Sequence, residues 1–270
     1  MSPRLHAVAL IALFAAATSH AQTTAPAPQM PFRISDGQVI AFLQMLPPES
    51  AKSIGSLING LISDTTSHMR MAPRRAASKA DTSRASGVVR TMHDSLAKYA
   101  DVNVALREGY VRFLPWLEDQ PVYHYNNDRN ARSASRAFDA AKPTSLLYKK
   151  DAAGKMILVG AMYTAPATLT NDELDARLPL GFAYWHQHVN FCARRPTDEE
   201  LKLGRPDSAR VAKSLELDTQ EACTAAGGMF VPQLFGWMAH VNAFEGTDDE
   251  TVWGGDSKDH MNGHSHGHHP

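Results

Sequence analysis

Cysteine is scarce in this chain. Only Cys192 and Cys223 occur, they are widely spaced, and no C-x-x-C pair is present, so a metal site built on paired thiolates has little to draw on. The glycine signatures of nucleotide chemistry are missing as well: there is no P-loop and no Rossmann pattern. No G-x-S-x-G elbow and no H-E-x-x-H helix occurs, which removes two common hydrolytic designs. Charge of one sign is lacking, since 27 Lys and Arg face 28 Asp and Glu for a formal net charge of −1. That balance gives no electrostatic case for nucleic acid, and no basic amphipathic helix calls for a membrane surface. Beyond the first twenty residues no segment offers some twenty uninterrupted apolar residues, so no transmembrane helix is expected after that point.

One short apolar run does occur. Residues 1–21 read as a secretory signal peptide, with Arg4, an apolar stretch from Ala7 to Ala17, and small residues Ser19 and Ala21 before a cut. The expected compartment is therefore the periplasm or the exterior. Two cysteines fit an oxidising setting as one disulfide, Cys192 with Cys223, worth roughly 3–4 kcal/mol in the chain-entropy model. Two soft metal ligands are the alternative use of that pair.

Residues 22–35, rich in Thr, Ala and Pro, form an expected flexible leader. Residues 36–110 read as helical. Val39, Ile40, Phe42, Leu43 and Leu46 follow a capping-box pattern at Ser35 to Gln38, and Ala51, Ile54, Leu57, Ile58 and Leu61 share a face after Pro47-Pro48. Asp64 to Ser86 is polar and basic enough to read as an exposed linker. A third helix is expected over Val89, Met92, Leu96 and Tyr99, continuing after an adjustment near Asp101 to Leu106 and Tyr110, with Gly109 ending it.

Residues 111–253 change character. Ser145–Tyr148 and Met156–Tyr163 flank Asp151-Ala152-Ala153-Gly154 as a β-hairpin, and the continuously apolar second strand points to burial on both faces. Short helices are expected over Ala131–Ala141, Asn171–Arg177 and Thr219–Ala226. The expected fold class is α+β, with N-terminal helices packed on a small, mainly antiparallel sheet.

Within that region, the stretch Tyr184–Cys192 carries the sharpest functional signal. As a strand it puts His186, His188 and Asn190 on one face and Trp185, Gln187, Val189 and Phe191 on the other. Met238–Phe244 repeats the pattern, with His240 and Asn242 on one face, and the tripeptide His-Val-Asn occurs in both. If the two strands are neighbours, three imidazoles converge, a set that suits Zn²⁺ or Cu²⁺ because neutral imidazole is a borderline ligand. His124 and Glu245 are candidate fourth ligands. Asn190, Asn242 and Tyr125 suit a second layer that orients the rings.

Residues 254–270 form a tail in which His260, His264, His266, His268 and His269 alternate with Gly and Ser. Such a tail cannot pack a core but can wrap transition metals for capture or delivery. Methionines near histidines, at His68-Met69 with Met71, Met92-His93 and His260-Met261, tilt the choice toward copper, although Met92 also fits a plain core position.

Tyr99-Ala100-Asp101-Val102 with Ala105-Leu106 and Gly109-Tyr110, then Tyr123-His124-Tyr125-Asn126-Asn127, Pro143 before Leu146-Leu147-Tyr148, Leu158-Val159-Gly160 with Tyr163, and the late His240-Val241 make a partial set of motifs. In these the chain resembles a functionally uncharacterised family of secreted bacterial proteins, over roughly Ser95 to Phe244. The resemblance implies an α+β unit in which a helix precedes a small sheet and the histidine strands belong to the common core. The family's late strand tends to be followed by a Trp and basic residues, whereas this chain runs His-Val-Asn-Ala-Phe-Glu.

Three functions fit these features. The first is a periplasmic or secreted protein that binds copper or zinc through His186, His188 and His240, with the histidine-rich tail as an auxiliary arm. The second is a metal-dependent enzyme using the same three-histidine site, with an open coordination position that activates water or a bound oxidant. The third is a structural or interaction protein in which the N-terminal helices dock a partner and the histidines and asparagines form an inert buried network.

Overall fold

The computed structural model describes residues 67–113, 115, 120–194, 197–203 and 216–254. The expected signal peptide, leader, first two helices and histidine-rich tail lie outside the described residues. Strands β1 (Met69–Met71), β2 (Val111–Arg112), β3 (Tyr123–Asn126), β4 (Ser145–Lys150), β5 (Met156–Ala165), β6 (His186–Arg194), β7 (Gly228–Gln233) and β8 (Trp237–Val241) form one sheet in the order β1-β6-β8-β5-β4-β3-β2, with β7 also on β6. Every pairing is antiparallel. The protein is thus mixed α and β but dominated by its sheet, which is larger than the small one expected from the sequence.

Helices α1 (Lys79–Leu96), α2 (Val102–Arg107), α3 (Asp128–Ala134), α4 (Asn171–Arg177), α5 (Asp198–Leu203), α6 (Gln220–Ala225) and α7 (Asp249–Trp253) punctuate the strands. Helix α1 starts ten residues earlier than its apolar periodicity indicates. Ser78 and Asp81 close a capping box, and Asp81 is also gripped by both guanidinium nitrogens of Arg75, one at 2.9 Å. Arg75 and Arg84 reach Asp175 of α4 as well. The basic residues that made this stretch look like a linker are therefore the clamp between two helices. Strand β1 and the buried His68 and Ala72 precede α1, within the stretch expected to be exposed.

A single 3-10 turn (Ala97–Ala100) links α1 to α2, and Asp101 caps α2 by accepting from the Asn103 N–H. Gly109, at φ 89, ends this unit in the left-handed region. Leu106, expected on the buried face, is exposed, because the 3-10 turn rotates α2 relative to α1. The β4–β5 hairpin closes through Asp151, whose carboxylate accepts from the N–H groups of Ala153 and Lys155, with Gly154 at φ 80. Strand β5 is central, and Leu158 through Tyr163 are buried on both faces apart from the glycine's missing side chain.

Sheet alternation divides the interior in two. One face packs Met92, Leu96, Tyr99 and Ala105 of the helical layer against Tyr123, Tyr125, Leu146, Tyr148, Ala161, Tyr163, Trp185, Trp237, Ala239 and Val241. Its buried phenols find acceptors: Tyr148 donates to the Tyr99 carbonyl at 2.7 Å and Tyr163 to that of Ala140 at 2.7 Å. The other face holds a smaller apolar cluster of Val122, Leu147, Val159, Met162 and Met238, with Phe235 against it. A register shift at Leu147/Tyr148 leaves an extra residue on β5 and bends the sheet there. Gly160 sits at that bend, where a Cβ would strike the Val241 carbonyl oxygen and come within 2.7 Å of Asn242 Cα.

Cys192 of β6 and Cys223 of α6 form the disulfide. Gly228, opening β7, passes so close that a Cβ would lie 2.5 Å from one sulfur and 2.7 Å from the other. Strand β7 and helix α7 were not read from the sequence; Pro232 and the short acidic segment masked them.

Two outcomes follow. Replacing both cysteines by serine lowers the unfolding free energy by about 3–4 kcal/mol in denaturant titrations, because the loop it closes regains its entropy only in the unfolded chain. The Arg75 guanidinium first, and then the Ser78 hydroxyl and N–H, hold the Asp81 carboxyl well below its usual range. A carboxylate depressed on folding contributes stability that is complete above about pH 4 and lost as pH falls. Asp81→Asn therefore lowers the melting temperature at neutral pH and flattens its decline below about pH 4.

Candidate functional site

His186 and His188 stand two apart on β6, so the pleat sends both to the face opposite Trp185. His240 reaches the same face from β8, which is bonded to β6 through the His186–Met238 pair. The adjacency on which a shared site depends is therefore present. The ring centroids of His186 and His240 are 5.3 Å apart, and those of His186 and His188 are 5.6 Å apart.

His124 joins them from β3. Three strand spacings separate β3 from β8, about 14 Å in a flat sheet, yet the His124 and His240 Nε2 atoms approach to 3.3 Å. The bend at the Leu147/Tyr148 shift curls this face toward itself and lets rings from distant strands meet. His186, His188 and His240 are each buried to 9% exposure or less.

Hydrogen bonds fix part of the chemistry. His186 Nδ1 lies 3.1 Å from the Tyr184 carbonyl oxygen. A carbonyl only accepts, so Nδ1 carries a proton, which in the neutral ring leaves the lone pair on Nε2, the arrangement typical of a metal-ligating imidazole. Between His124 and His240 one Nε2 donates and the other accepts. Burial first, and then the rings of His186, His240 and His124, push the His188 pKa down to about 3. That ring is neutral throughout the physiological range, as a ligand must be.

The 3.3 Å separation has a chemical meaning. Two imidazole nitrogens bound to one tetrahedral Zn²⁺ at 2.0–2.1 Å lie about 3.3–3.4 Å apart, so His124 and His240 already stand at the edge length of such a site. As the side chains stand, no group of three or more His, Cys, Asp or Glu among the described residues converges fully on a point for an ion. The rings are turned edge to face instead, and gathering a third nitrogen requires ring rotation within the cluster.

The other expected participants are placed elsewhere. Glu245 is largely exposed and pairs with Lys149 at 2.8 Å. Tyr125 points to the helix-covered face, edge-on to Tyr148. Asn190 adopts a left-handed backbone, φ 63, and its amide donates to the Ser67 carbonyl at 2.7 Å, anchoring the approach to β1 rather than orienting a ring. Asn242 heads the turn after β8, donating its N–H to the Val252 carbonyl. His68 stacks on Phe191 and His93 meets Phe244 edge-on, while Met92 is wholly within the helical core. The cysteines are consumed by the disulfide.

Two clefts open near the helices. One is lined by Arg74, Tyr184, Asp249 and Trp253 among others, and the other by Pro73, Arg75, Asn171 and Asp175. Neither touches the four histidines. No protein-family model, curated protein or solved structure matches this chain. Chemistry and geometry alone therefore carry the functional reading.

Sequence reasoning missed two residues that share the histidine face, Met162 and Met238. Met238 was accessible by parity, two positions before His240; Met162 needed the β5–β8 register.

Removing a member of the cluster leaves a cavity and an orphaned ring nitrogen. His240→Ala therefore costs the metal-free protein about 2–3 kcal/mol, measured by denaturant unfolding in the presence of a chelator.

Proposed function

We propose that this is a periplasmic or secreted protein that binds a transition metal, copper or zinc, through His186, His188 and His240 with His124 as the fourth ligand, and that the tail histidines capture or deliver the ion. The observation that carries the reading is the His124–His240 Nε2 separation of 3.3 Å inside a cluster of four imidazoles. The Nδ1–H of His186 bound to a backbone carbonyl supports it, as does the neutral His188. A fourth protein nitrogen would fill the coordination position that an enzyme leaves open, so holding the ion is favoured over catalysis.

Export accords with the apolar N-terminal run, with the Cys192–Cys223 disulfide, and with the resemblance to secreted bacterial proteins. No helix among the described residues is long and apolar enough to cross a membrane. The N-terminal helices expected before residue 67 are part of the same proposal: they would pack with the sheet as the remainder of the α+β unit.

A second reading has its own observation. The edge-to-face rings and the direct His124–His240 hydrogen bond are what a metal-free buried network would also adopt. Elemental analysis separates the two. Full-length protein purified without a metal-affinity step is expected to retain stoichiometric copper or zinc when His260, His264, His266, His268 and His269 are replaced by Ser, and to lose it in His186→Ala/His188→Ala. Metal that disappears with the tail substitutions alone would leave the inert network as the better description.

A further inference from the structure

Every histidine that β6 and β8 present to this face has a methionine as a cross-strand neighbour. Met69 of β1 is opposite His188 and Met71 is opposite His186. Met238 of β8 is opposite His186 on its other side, and Met162 of β5 is opposite His240. Directly opposed residues in antiparallel strands share a face with Cβ atoms about 4.5–5.5 Å apart. His124, the fourth member, faces Leu147 instead, but with only 11 methionines in 270 residues four of five such pairs exceed what composition supplies. Met162 and Met238 are buried, at 8% and 7% exposure, in the apolar cluster that borders the imidazoles, whereas Met71 on the edge strand is 37% exposed.

The charge around the cluster is equally informative. Glu245 is held by Lys149 at the surface, both cysteines are oxidised, and no Asp, Glu or thiolate completes a metal group among the described residues. The donors available are therefore neutral imidazoles and neutral thioethers. Burying an ion among neutral donors leaves its charge uncompensated, at a desolvation cost that rises with the square of that charge. A monovalent ion is accordingly favoured over a divalent one. Thioether sulfur is a soft donor that selects Cu(I), while imidazole accepts copper and zinc alike. A hard divalent ion would find none of the oxygen ligands it needs.

We propose that copper is held here as Cu(I), with the Met162 and Met238 thioethers taking two of its coordination positions beside His240 and His186, in place of the His124 and His188 imidazoles. The proposal rests on the metal-binding reading above and narrows it to one ion and one oxidation state. The thioethers of Met69 and Met71 continue the same face out to the exposed edge strand.

The test uses the full-length chain with its five tail histidines replaced by Ser, titrated anaerobically with Cu(I) against a chromophoric chelator and separately with Zn²⁺. Met162→Leu/Met238→Leu is compared with this parent. Met-to-Leu exchange nearly conserves volume, and a melting curve verifies that the variant is folded. The expected result is a Cu(I) affinity at least tenfold weaker in the variant, with Zn²⁺ affinity changed less than threefold. X-ray absorption at the copper edge of the parent should show sulfur in the first shell. Unchanged Cu(I) affinity and a nitrogen-only shell in a parent that still binds metal would overturn the thioether assignment and leave the histidine site standing. Failure of the parent to bind either ion would overturn both. Should the variant not fold, the absorption spectrum of the parent decides alone.

Discussion

Strand β8 is five residues long, and its position between β5 and β6 is the constraint on which both faces of the protein depend. Through Met162 opposite His240 and His186 opposite Met238 it brings together side chains some fifty and eighty residues apart in the chain. Because alternate residues of a strand must point to opposite sides, the same pairing places Trp237, Ala239 and Val241 under the helices. One register thus sets the apolar core and the histidine face together. A slip by one residue would bury the imidazoles among tyrosines and turn the core toward the other side.

The curl of the sheet is the second requirement. A flat sheet would leave His124 far from His240, and the register shift at Leu147/Tyr148 with Gly160 beside it supplies the bend. Close backbone approach at Gly160 ties this curvature to the β5–β8 contact, so the shape of the histidine face and the packing of β8 are one problem. At the far end of β6 the disulfide fastens α6 to the strand, and Gly228 leaves room for the sulfurs. The Arg75, Arg84, Asp81 and Asp175 cluster does the corresponding work for the helices, joining α1 to α4.

Three buried imidazoles and a fourth, half-buried at His124, with no carboxylate among them, are an unusual interior. As a metal-free network they satisfy part of their hydrogen bonding through the His124–His240 contact and the Tyr184 carbonyl. As ligands they offer ring-nitrogen lone pairs, and for His188 burial keeps the ring uncharged. The flanking methionines accord with the second use, since thioethers add soft donors without adding charge.

Local rules made much of this legible in the sequence. Alternation assigned His186, His188 and His240 to the faces they occupy, the Asp-Ala-Ala-Gly turn located the β4–β5 hairpin, and the short helix α4 was expected at Asn171–Arg177, where it is found. The disulfide followed from there being only two cysteines. Strand order was different in kind, because backbone pairing carries no local signature. Nothing within β1 marks it as the neighbour of β6, and the Arg-rich stretch read as a linker until Asp175 supplied its distant partner. The removal of Glu245, Tyr125 and Asn190 from the site likewise depended on Lys149, the helical core and Ser67, none of them adjacent in sequence. By itself the sequence determined which side of each strand its histidines occupy, since the pleat is a property of the local backbone. Only the tertiary structure decided that His124 completes the cluster and that methionines border it, since register and sheet curvature arise from contacts between distant segments.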